Sequence, residues 1–293
     1  MARGVGAVGG IDENFDGSTL DPHWTPVSIG GGINEVTGSV LRMALPFGNA
    51  GAYSDAQIDD YDDKMRAHFQ WRPPLRIEVR ARTSLPASSA SPASAGTSAT
   101  PPTSDEPGEP QRYLRGTFGF GLWNYPFSLK QRAIRMPNAV WFFGASPPSN
   151  MALVPGVPGY GWKAQVVHAN RLGALACAIP TTLAVLWARI TGRGALAARW
   201  VQRFSGTSER ILDANINEWH IYTLDWLPHV ARFAVDGEEA LRVMNPPRGP
   251  LGFVAWIDNQ YAVATPRGAF RFGTLATGPE ALELDWLRII PGG

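Results

Sequence analysis

The middle third of the sequence lacks acidic residues altogether. No aspartate or glutamate occurs from Pro110 to Ser208, although the chain has 25 of them, 14 before this stretch and 11 after it. The same stretch contains 11 lysines and arginines, so a chain of formal net charge +1 has a central third near +11. A hydrolytic mechanism that uses paired carboxylates cannot take them from this stretch.

Other absences narrow the class of protein further. The single cysteine, Cys177, excludes an intrachain disulfide framework. It lies in an apolar run without a nearby histidine or acid, so we expect an inert buried thiol. The first ten residues lack the apolar segment of a secretory signal peptide, which predicts a cytoplasmic location. No phosphate loop or dinucleotide fingerprint occurs, so no nucleotide cofactor is predicted.

What the sequence does contain favours short strands and tight turns. Only 17% of the residues are charged, 44% are hydrophobic, and there are 32 glycines and 25 prolines. A chain of this length and composition is typical of one large all-β domain. We therefore predict a single sandwich domain over residues 11–291.

Alternating apolar and polar residues mark the strands. The predicted strand segments are Ile33–Leu45 (as two short strands), Leu75–Thr83, Gly116–Trp123, Asn138–Gly144, Trp162–Ala169, Trp219–Trp226, Val230–Val235, Leu251–Val263 and Leu282–Ile290. Many short strands and few helices predict a sandwich of two antiparallel sheets. In Gly116–Trp123, glycines at alternate positions predict a nearly bare backbone on one face, which something flat could approach.

Two segments interrupt the strand pattern. Residues 84–110 consist almost wholly of Ser, Ala, Pro, Thr and Gly, which predicts a disordered loop between neighbouring strands, Leu75–Thr83 and Leu114–Trp123. Residues 171–204 contain an uncharged run of 17 residues, Leu172–Ala188, which is too short for a membrane span. They predict a helical insertion that either packs on the sandwich or dips into an anionic membrane surface.

Five aspartates fall within Asp55–Asp63. Their spacing differs from that of a calcium-binding loop, in which ligands recur at alternate positions before a glycine. We predict a solvated loop that faces the basic stretch.

Three motifs, in order, resemble one known family. They are FDGSTLDPHW (15–24), NEWHIYTLDWLPHVARFAVDGEE (217–239) and LELDWLRIIP (282–291). Together they resemble the laminarinase-like glycoside hydrolases of family 16, in the concanavalin A-like lectin and glucanase superfamily. The resemblance implies a jelly-roll sandwich whose concave sheet forms a glycan cleft.

The chain departs from that family at its defining residues. The resemblance implies a retaining hydrolase with a Glu-x-Asp-x-x-Glu strand, because two carboxyls about 5 to 5.5 Å apart are needed. The strand in that position, Asn138–Gly144, has Val140, Trp141 and Phe142 instead. The leading prediction is therefore a diverged glucanase-like module that binds glycans without conventional glycosidase activity.

The candidate ligand-binding residues lie on a tryptophan-rich face. Indole rings provide flat apolar surfaces for sugars, although most of the chain's 11 tryptophans could equally be packing residues. The candidates are Trp123, Trp141, Trp162 and Trp256, joined by Asp258 and Gln260, which share a face with Trp256 in a continuous strand.

Two alternatives remain open at this point. One is an active hydrolase with a relocated site in which Asp258 and His168 supply the acid–base groups. The other is a peripheral membrane or scaffolding protein that acts through 171–204. Nucleic acid is not predicted as a partner, because no recognised motif accompanies the basic stretch.

One metal site is implied by the resemblance alone. Glu13 and Asp285 resemble positions near the family's structural calcium on the convex side. No other cofactor is predicted.

Overall fold

The computed structural model describes residues 9–61, 69–84, 114–124, 137–151, 153–154, 156–168, 206–264 and 270–292. This part of the chain contains strands and no helix, and accordingly no helix long and apolar enough to cross a membrane. The predicted disordered loop after Ser84, the helical insertion at 171–204 and Cys177 lie outside these ranges.

Each predicted strand segment overlaps a described strand, and the structure also contains strands that were not predicted. In chain order they are β1 (Ile11–Glu13), β2 (Thr25–Ile29), β3 (Ile33–Val36), β4 (Leu41–Leu45), β5 (Asp55–Asp59), β6 (Leu75–Ser84), β7 (Thr117–Trp123), β8 (Asn138–Ala145), β9 (Asn150–Met151), β10 (Gly161–His168), β11 (Ser208–Ile211), β12 (His220–Trp226), β13 (Val230–Val235), β14 (Glu238–Met244), β15 (Gly252–Asp258), β16 (Gln260–Ala264), β17 (Phe270–Thr274) and β18 (Glu280–Pro291).

Two large antiparallel sheets form the sandwich, which confirms the predicted fold class at this level. The eight-stranded sheet has the order β14-β13-β12-β6-β18-β4-β3, with β1 also paired to β18. The seven-stranded sheet has the order β11-β10-β8-β7-β15-β5-β2. A smaller sheet, β17-β16-β9, includes a parallel pairing between β16 and β9.

The main core lies between the two large sheets. Alternate residues of β6, from Leu75 to Ala81, are buried as the pattern predicts. Across the gap, the rings of Phe120 and Phe142 lie 5.3 and 5.1 Å from that of Tyr222 in the facing sheet. Buried apolar area of this kind is the main stabilising contribution to a sandwich.

The prediction that the strands on either side of residues 84–110 are neighbours is wrong. β6 pairs with β12 and β18 in the eight-stranded sheet. β7 pairs with β8 and β15 in the seven-stranded sheet. The chain therefore crosses from one sheet to the other between them, which a long connection allows at little entropic cost.

The prediction of a solvated loop at Asp55–Asp63 is also wrong for its first half. Asp55–Asp59 is strand β5, which lies between β15 and β2 in the seven-stranded sheet. Ala56 and Ile58 point into the core, and the alternating side chains of Asp55, Gln57 and Asp59 point the other way. Asp55 and Asp59 are only 4% and 0% exposed.

The predicted strand Leu251–Val263 is broken at Asn259. This fully buried side chain donates hydrogen bonds to the carbonyls of Ala52 and Leu275, at 2.9 and 3.0 Å, and accepts one from Ser54 N. The chain then leaves the large sheet and continues as β16 in the three-stranded sheet.

Candidate functional site

The outer face of the seven-stranded sheet carries a second apolar cluster, separate from the main core. In β7, Phe118, Phe120 and Leu122 point inward, so Trp123 points outward. The same alternation in the neighbouring strands exposes aromatic side chains on this face. We call Tyr61, Trp123, Trp141, Phe143 and Trp256 the aromatic cluster.

Trp141 is the centre of the aromatic cluster. Its ring centroid lies 5.8 Å from that of Trp123, 5.6 Å from Phe143 and 5.1 Å from Trp256, with interplanar angles of 29°, 25° and 41°. Trp123 and Trp141 are half-buried, whereas Phe143 and Trp256 are each 8% exposed. Trp123 and Trp141 therefore provide most of the ring surface that a ligand could reach.

The glycines of β7 allow close approach by the neighbouring strands of the protein itself. A Cβ added at Gly119 would clash with the carbonyl oxygen of Phe142 and lie 3.0 Å from Cη2 of Trp256, and one at Gly121 would lie 2.6 Å from Cα of Trp141. The bare backbone that the sequence pattern predicted exists, but it is occupied mainly by the backbone of β8 and, at Gly119, by the edge of the Trp256 ring.

Each indole N–H of the cluster is bonded within the protein. Trp123 Nε1 donates to Tyr61 Oη at 2.6 Å, Trp141 Nε1 to Gln165 Oε1 at 2.7 Å, and Trp256 Nε1 to Thr117 Oγ1 at 3.1 Å. These bonds orient the rings and leave no indole donor for a ligand. What remains is the π face.

A buried polar chain adjoins Trp141. Gln165 Nε2 donates to Glu209 Oε2 at 2.6 Å, and Lys163 Nζ lies 3.2 Å from Glu209 Oε1. The Lys163 and Glu209 side chains are 3% and 0% exposed. Burial lowers the pKa of Lys163, and the charge of Glu209 opposes that shift.

Asp258 is opposite Asp55 across strands β15 and β5. Its Oδ1 accepts hydrogen bonds from Thr117 Oγ1 and Gln260 N, both at 2.9 Å, and from Thr117 N at 3.2 Å. Burial raises its pKa to about 6. Burial, and secondarily the charge of Asp258, raises the pKa of Asp55 to about 7.

This carboxyl pair is closed to a large substrate. Oδ1 of Asp55 is shielded from solvent and accepts no hydrogen bond in the described part of the chain. Directly opposed side chains on antiparallel strands have Cβ atoms about 4.5–5.5 Å apart. Two buried carboxyl groups at this spacing favour the protonated form, because two negative charges would repel each other there. A polymeric substrate cannot reach them.

The structure does not bring His168 and Asp258 together. Asp258 pairs with Thr117, Thr117 with Ala145, and Ala145 with Gly161, the first residue of β10. His168 is the last residue of that strand, and its Nδ1 lies 3.3 Å from the carbonyl oxygen of Asn245, which follows β14 in the other sheet. The predicted site built on these two residues is therefore wrong.

Two of the predicted ligand-binding residues lie elsewhere. Trp162 points into the main core, is 1% exposed, and stacks on Phe118 at 5.4 Å. Gln260 pairs with Thr274 in the three-stranded sheet, because the chain bends at Asn259. Trp123, Trp141, Trp256 and Asp258 do share the outer face.

The structure places the predicted calcium residues in bonds with the protein. Glu13 Oε1 accepts from Phe15 N at 2.8 Å and its Oε2 from Trp24 Nε1 at 3.1 Å. Asp285 forms an ion pair with Arg80. The described residues include no group of three or more His, Cys, Asp or Glu side chains that could hold a metal. Backbone carbonyl oxygens also bind calcium, so the calcium site at these two residues stays a prediction.

Little of the basic stretch lies in the described part of the chain. Of its 11 cations, Arg115 and Lys163 are described. Lys163 is buried against Glu209, and Arg115 N donates to Glu280 Oε2 at 2.9 Å. The predicted contact of 171–204 with an anionic membrane falls outside the described residues.

Comparison with known proteins supports the fold. No protein-family model matches the sequence, and no curated protein matches it either. One similar solved structure comes from work on endo-acting O-glycanases with which human gut bacteria initiate mucin breakdown. It has a TM-score of 0.51 and 13% identity over 96% of this chain and 98% of that one.

A second similar structure is an endo-β-galactosidase from Clostridium perfringens that releases GlcNAcα1-4Gal. The TM-score is 0.50 at 13% identity, over 95% of this chain and 61% of that chain. This chain therefore spans about three fifths of that enzyme. At such identity the likeness shows the fold alone, a β-sandwich of two antiparallel sheets, which is the fold that the sequence resemblance implied.

Proposed function

We propose that this chain is a glycan-binding module of glucanase-like fold that has no conventional glycosidase activity. The observation that carries the proposal is the aromatic cluster, in which three indoles donate their N–H groups to the protein. Trp123 and Trp141 keep partly exposed ring surface on the outer face of the sheet. The bound glycan would lie on the exposed ring surface of these two residues.

Stacking explains why a sugar suits this surface. The face of an indole is apolar and electron-rich, so it attracts the C–H groups on the flat side of a pyranose ring. A cluster without free N–H donors would recognise the shape of the sugar ring more than the pattern of its hydroxyls. The glycan-active proteins of similar fold support this class of ligand.

The outward positions of β8 support the absence of conventional hydrolysis. These positions hold Ala139, Trp141, Phe143 and Ala145, none of which carries a carboxyl. A retaining glycosidase needs two carboxyls with access to the glycosidic bond. The pair formed by Asp55 and Asp258 is too deeply buried to provide them.

Isothermal titration calorimetry tests the proposal. The full-length chain would be titrated with β-1,3-glucan, β-1,3-1,4-glucan and mucin O-glycans. We expect Trp141→Ala to weaken binding about tenfold, since a stacked aromatic contact contributes about 0.5–1.5 kcal/mol beyond area burial. The matched control is Trp286→Ala, on the outer face of the other sheet.

The outcomes separate clearly. Failure of the unaltered chain to bind any of the three glycans would overturn the proposal, as would an equal loss in Trp286→Ala. A parallel assay for new reducing ends tests the proposed absence of glycosidase activity. Release of sugar that disappears in Asp258→Asn would show a relocated hydrolase.

A further inference from the structure

Three side chains form one row across the outer face at the β11 edge of the seven-stranded sheet, and a lysine lies beside that row. Trp141 in β8 is opposite Gln165 in β10, and Gln165 is opposite Glu209 in β11. Lys163 is two residues before Gln165, on the same face of β10. Because Trp162, Ala164 and Val166 point into the core, these intervening polar residues point outward.

Every polar group of Gln165 is used. Its Oε1 accepts from Trp141 Nε1 at 2.7 Å, and its Nε2 donates to Glu209 Oε2 at 2.6 Å. A glutamine amide has distinct donor and acceptor ends, so the carboxylate at one end dictates which end faces the indole. Glu209 therefore fixes the orientation of the Gln165 amide.

Lys163 fixes Glu209 in turn. Its Nζ bonds Glu209 Oε1 at 3.2 Å and also donates to the carbonyl of Pro158. An ion pair that is buried to this extent adds little net stability, because desolvation offsets the attraction. Its effect is on geometry, since one arrangement satisfies all the groups.

We propose that Gln165, Glu209 and Lys163 are positioning residues that set the plane of the Trp141 ring. The amide holds the indole N–H, so the ring keeps its 29° angle to Trp123 and the pair forms one continuous surface. The consequence for affinity rests on the proposed glycan binding. The consequence for ring geometry does not.

A donor–acceptor exchange provides the sharpest test. Gln165→Glu places a second carboxylate beside Glu209, and Glu209→Gln removes the charge opposite Lys163. The double variant, Gln165→Glu with Glu209→Gln, restores one carboxylate and one amide in exchanged positions. We expect each single variant to weaken glycan binding by about threefold to tenfold, as for one lost hydrogen bond, and the double variant to regain it.

Circular dichroism gives a readout that a general loss of stability would not move. The transitions of Trp141 couple to those of Trp123 and Trp256, whose ring centroids lie 5.8 and 5.1 Å away, and give an exciton couplet. Trp123→Phe identifies the part of this couplet that the Trp123–Trp141 pair contributes, because it removes that part alone. The single variants should lose this couplet while remaining folded at room temperature, and the double variant should recover it. Glu283→Gln, in an ion pair on the opposite sheet, is the matched control.

The two proposals fail in different ways. If the unaltered chain binds no glycan, the proposed function fails, and the couplet still decides the positioning role. If the single variants keep both couplet and affinity, positioning is overturned. A loss of affinity with an unchanged couplet also overturns it, because Gln165 would then act on the ligand without acting through the ring.

Discussion

The two faces of the seven-stranded sheet are both aromatic but are built differently. On the inner face, the ring of Trp162 contacts those of Phe118, Phe142 and Tyr222. The ring of Phe142 also contacts that of Tyr222. On the outer face, every indole donates its N–H to a side chain at 2.6 to 3.1 Å. On the inner face, by contrast, Trp162 Nε1 and the Tyr222 hydroxyl are buried without a hydrogen-bond partner in the described part of the chain.

This difference shows which tryptophans stabilise the fold and which are held in a set orientation. A ring enclosed by two sheets is kept in place by packing from all sides. A half-buried ring on the outside of one sheet is enclosed less completely by packing, so hydrogen bonds at its edge contribute more to its orientation. The outer face therefore combines modest burial with high orientational order, which suits a binding surface.

The largest effect should come from the inner face. We expect Trp162→Ala to lower the free energy of unfolding by about 3–5 kcal/mol, because it opens a large cavity between the sheets. Trp123→Ala on the outer face should cost clearly less, since that ring is already partly in water. Urea denaturation measures both, and equal losses would remove the distinction between the faces.

A second effect, on the order of 4 kcal/mol, should appear as a pH dependence of stability that comes from a residue of the outer face. Burial raises the pKa of Asp55 to about 7, well above its value of 3.8 in the unfolded chain. Between these values the folded state binds more protons than the unfolded state. Stability should therefore fall as pH rises from about 4 to about 7.

Asp55→Asn isolates this contribution from other buried acids, such as Glu280, whose pKa burial also raises to about 7. Denaturation midpoints of the two proteins across pH 4 to 8 give the difference. We expect the stability of the variant to exceed that of the unaltered chain by the largest amount above pH 7. A constant difference across the range would contradict the raised pKa of Asp55.

Gly121→Ala should have the next largest effect, about 1–3 kcal/mol of overpacking. The new Cβ would lie 2.6 Å from Cα of Trp141, and the φ of +145° already disfavours a side chain there. Gly278→Ala is the matched control, because no atom lies within 4 Å of the added Cβ. If both variants unfold at the same urea concentration, close approach of Trp141 does not explain this glycine.

Thr117→Val should give the smallest effect, about 1 kcal/mol. The threonine hydroxyl accepts from Trp256 Nε1 and donates to Asp258 Oδ1, so valine leaves both groups without this partner. Thr223→Val in β12 of the other sheet is the comparison. A loss no greater than that control would show that the outer indoles need no hydrogen bond to stay in place.

Part of the site could be predicted because alternation assigns residues to faces. Trp123 and Trp256 alternate with inward-facing residues in their strands, and both lie outside as expected. Trp162 was misplaced although the signal existed, because Lys163 and Gln165 are the polar partners in its alternation. The same alternation is present in β5, where Ala56 and Ile58 lie between polar residues. It indicates a strand in a segment that was predicted to be a loop.

Pairs between strands could not be predicted. Tyr61, Gln165, Glu209 and Asp55 each gain their role from a residue on another strand, up to 203 residues away in the case of Asp258 and Asp55. Which residues meet depends on strand order and register, and a shift of one residue would turn every side chain to the other face. No local pattern contains that information.

Local sequence determined the strands, their inward residues and the lack of carboxyls on β8, because backbone geometry converts alternation directly into two faces. Tertiary structure decided which aromatic face became the core. Both faces of the seven-stranded sheet are rich in aromatic residues, and only the packing of the second sheet enclosed one of them. The face left outside acquired its hydrogen-bonded indoles from strands that meet only in the folded chain.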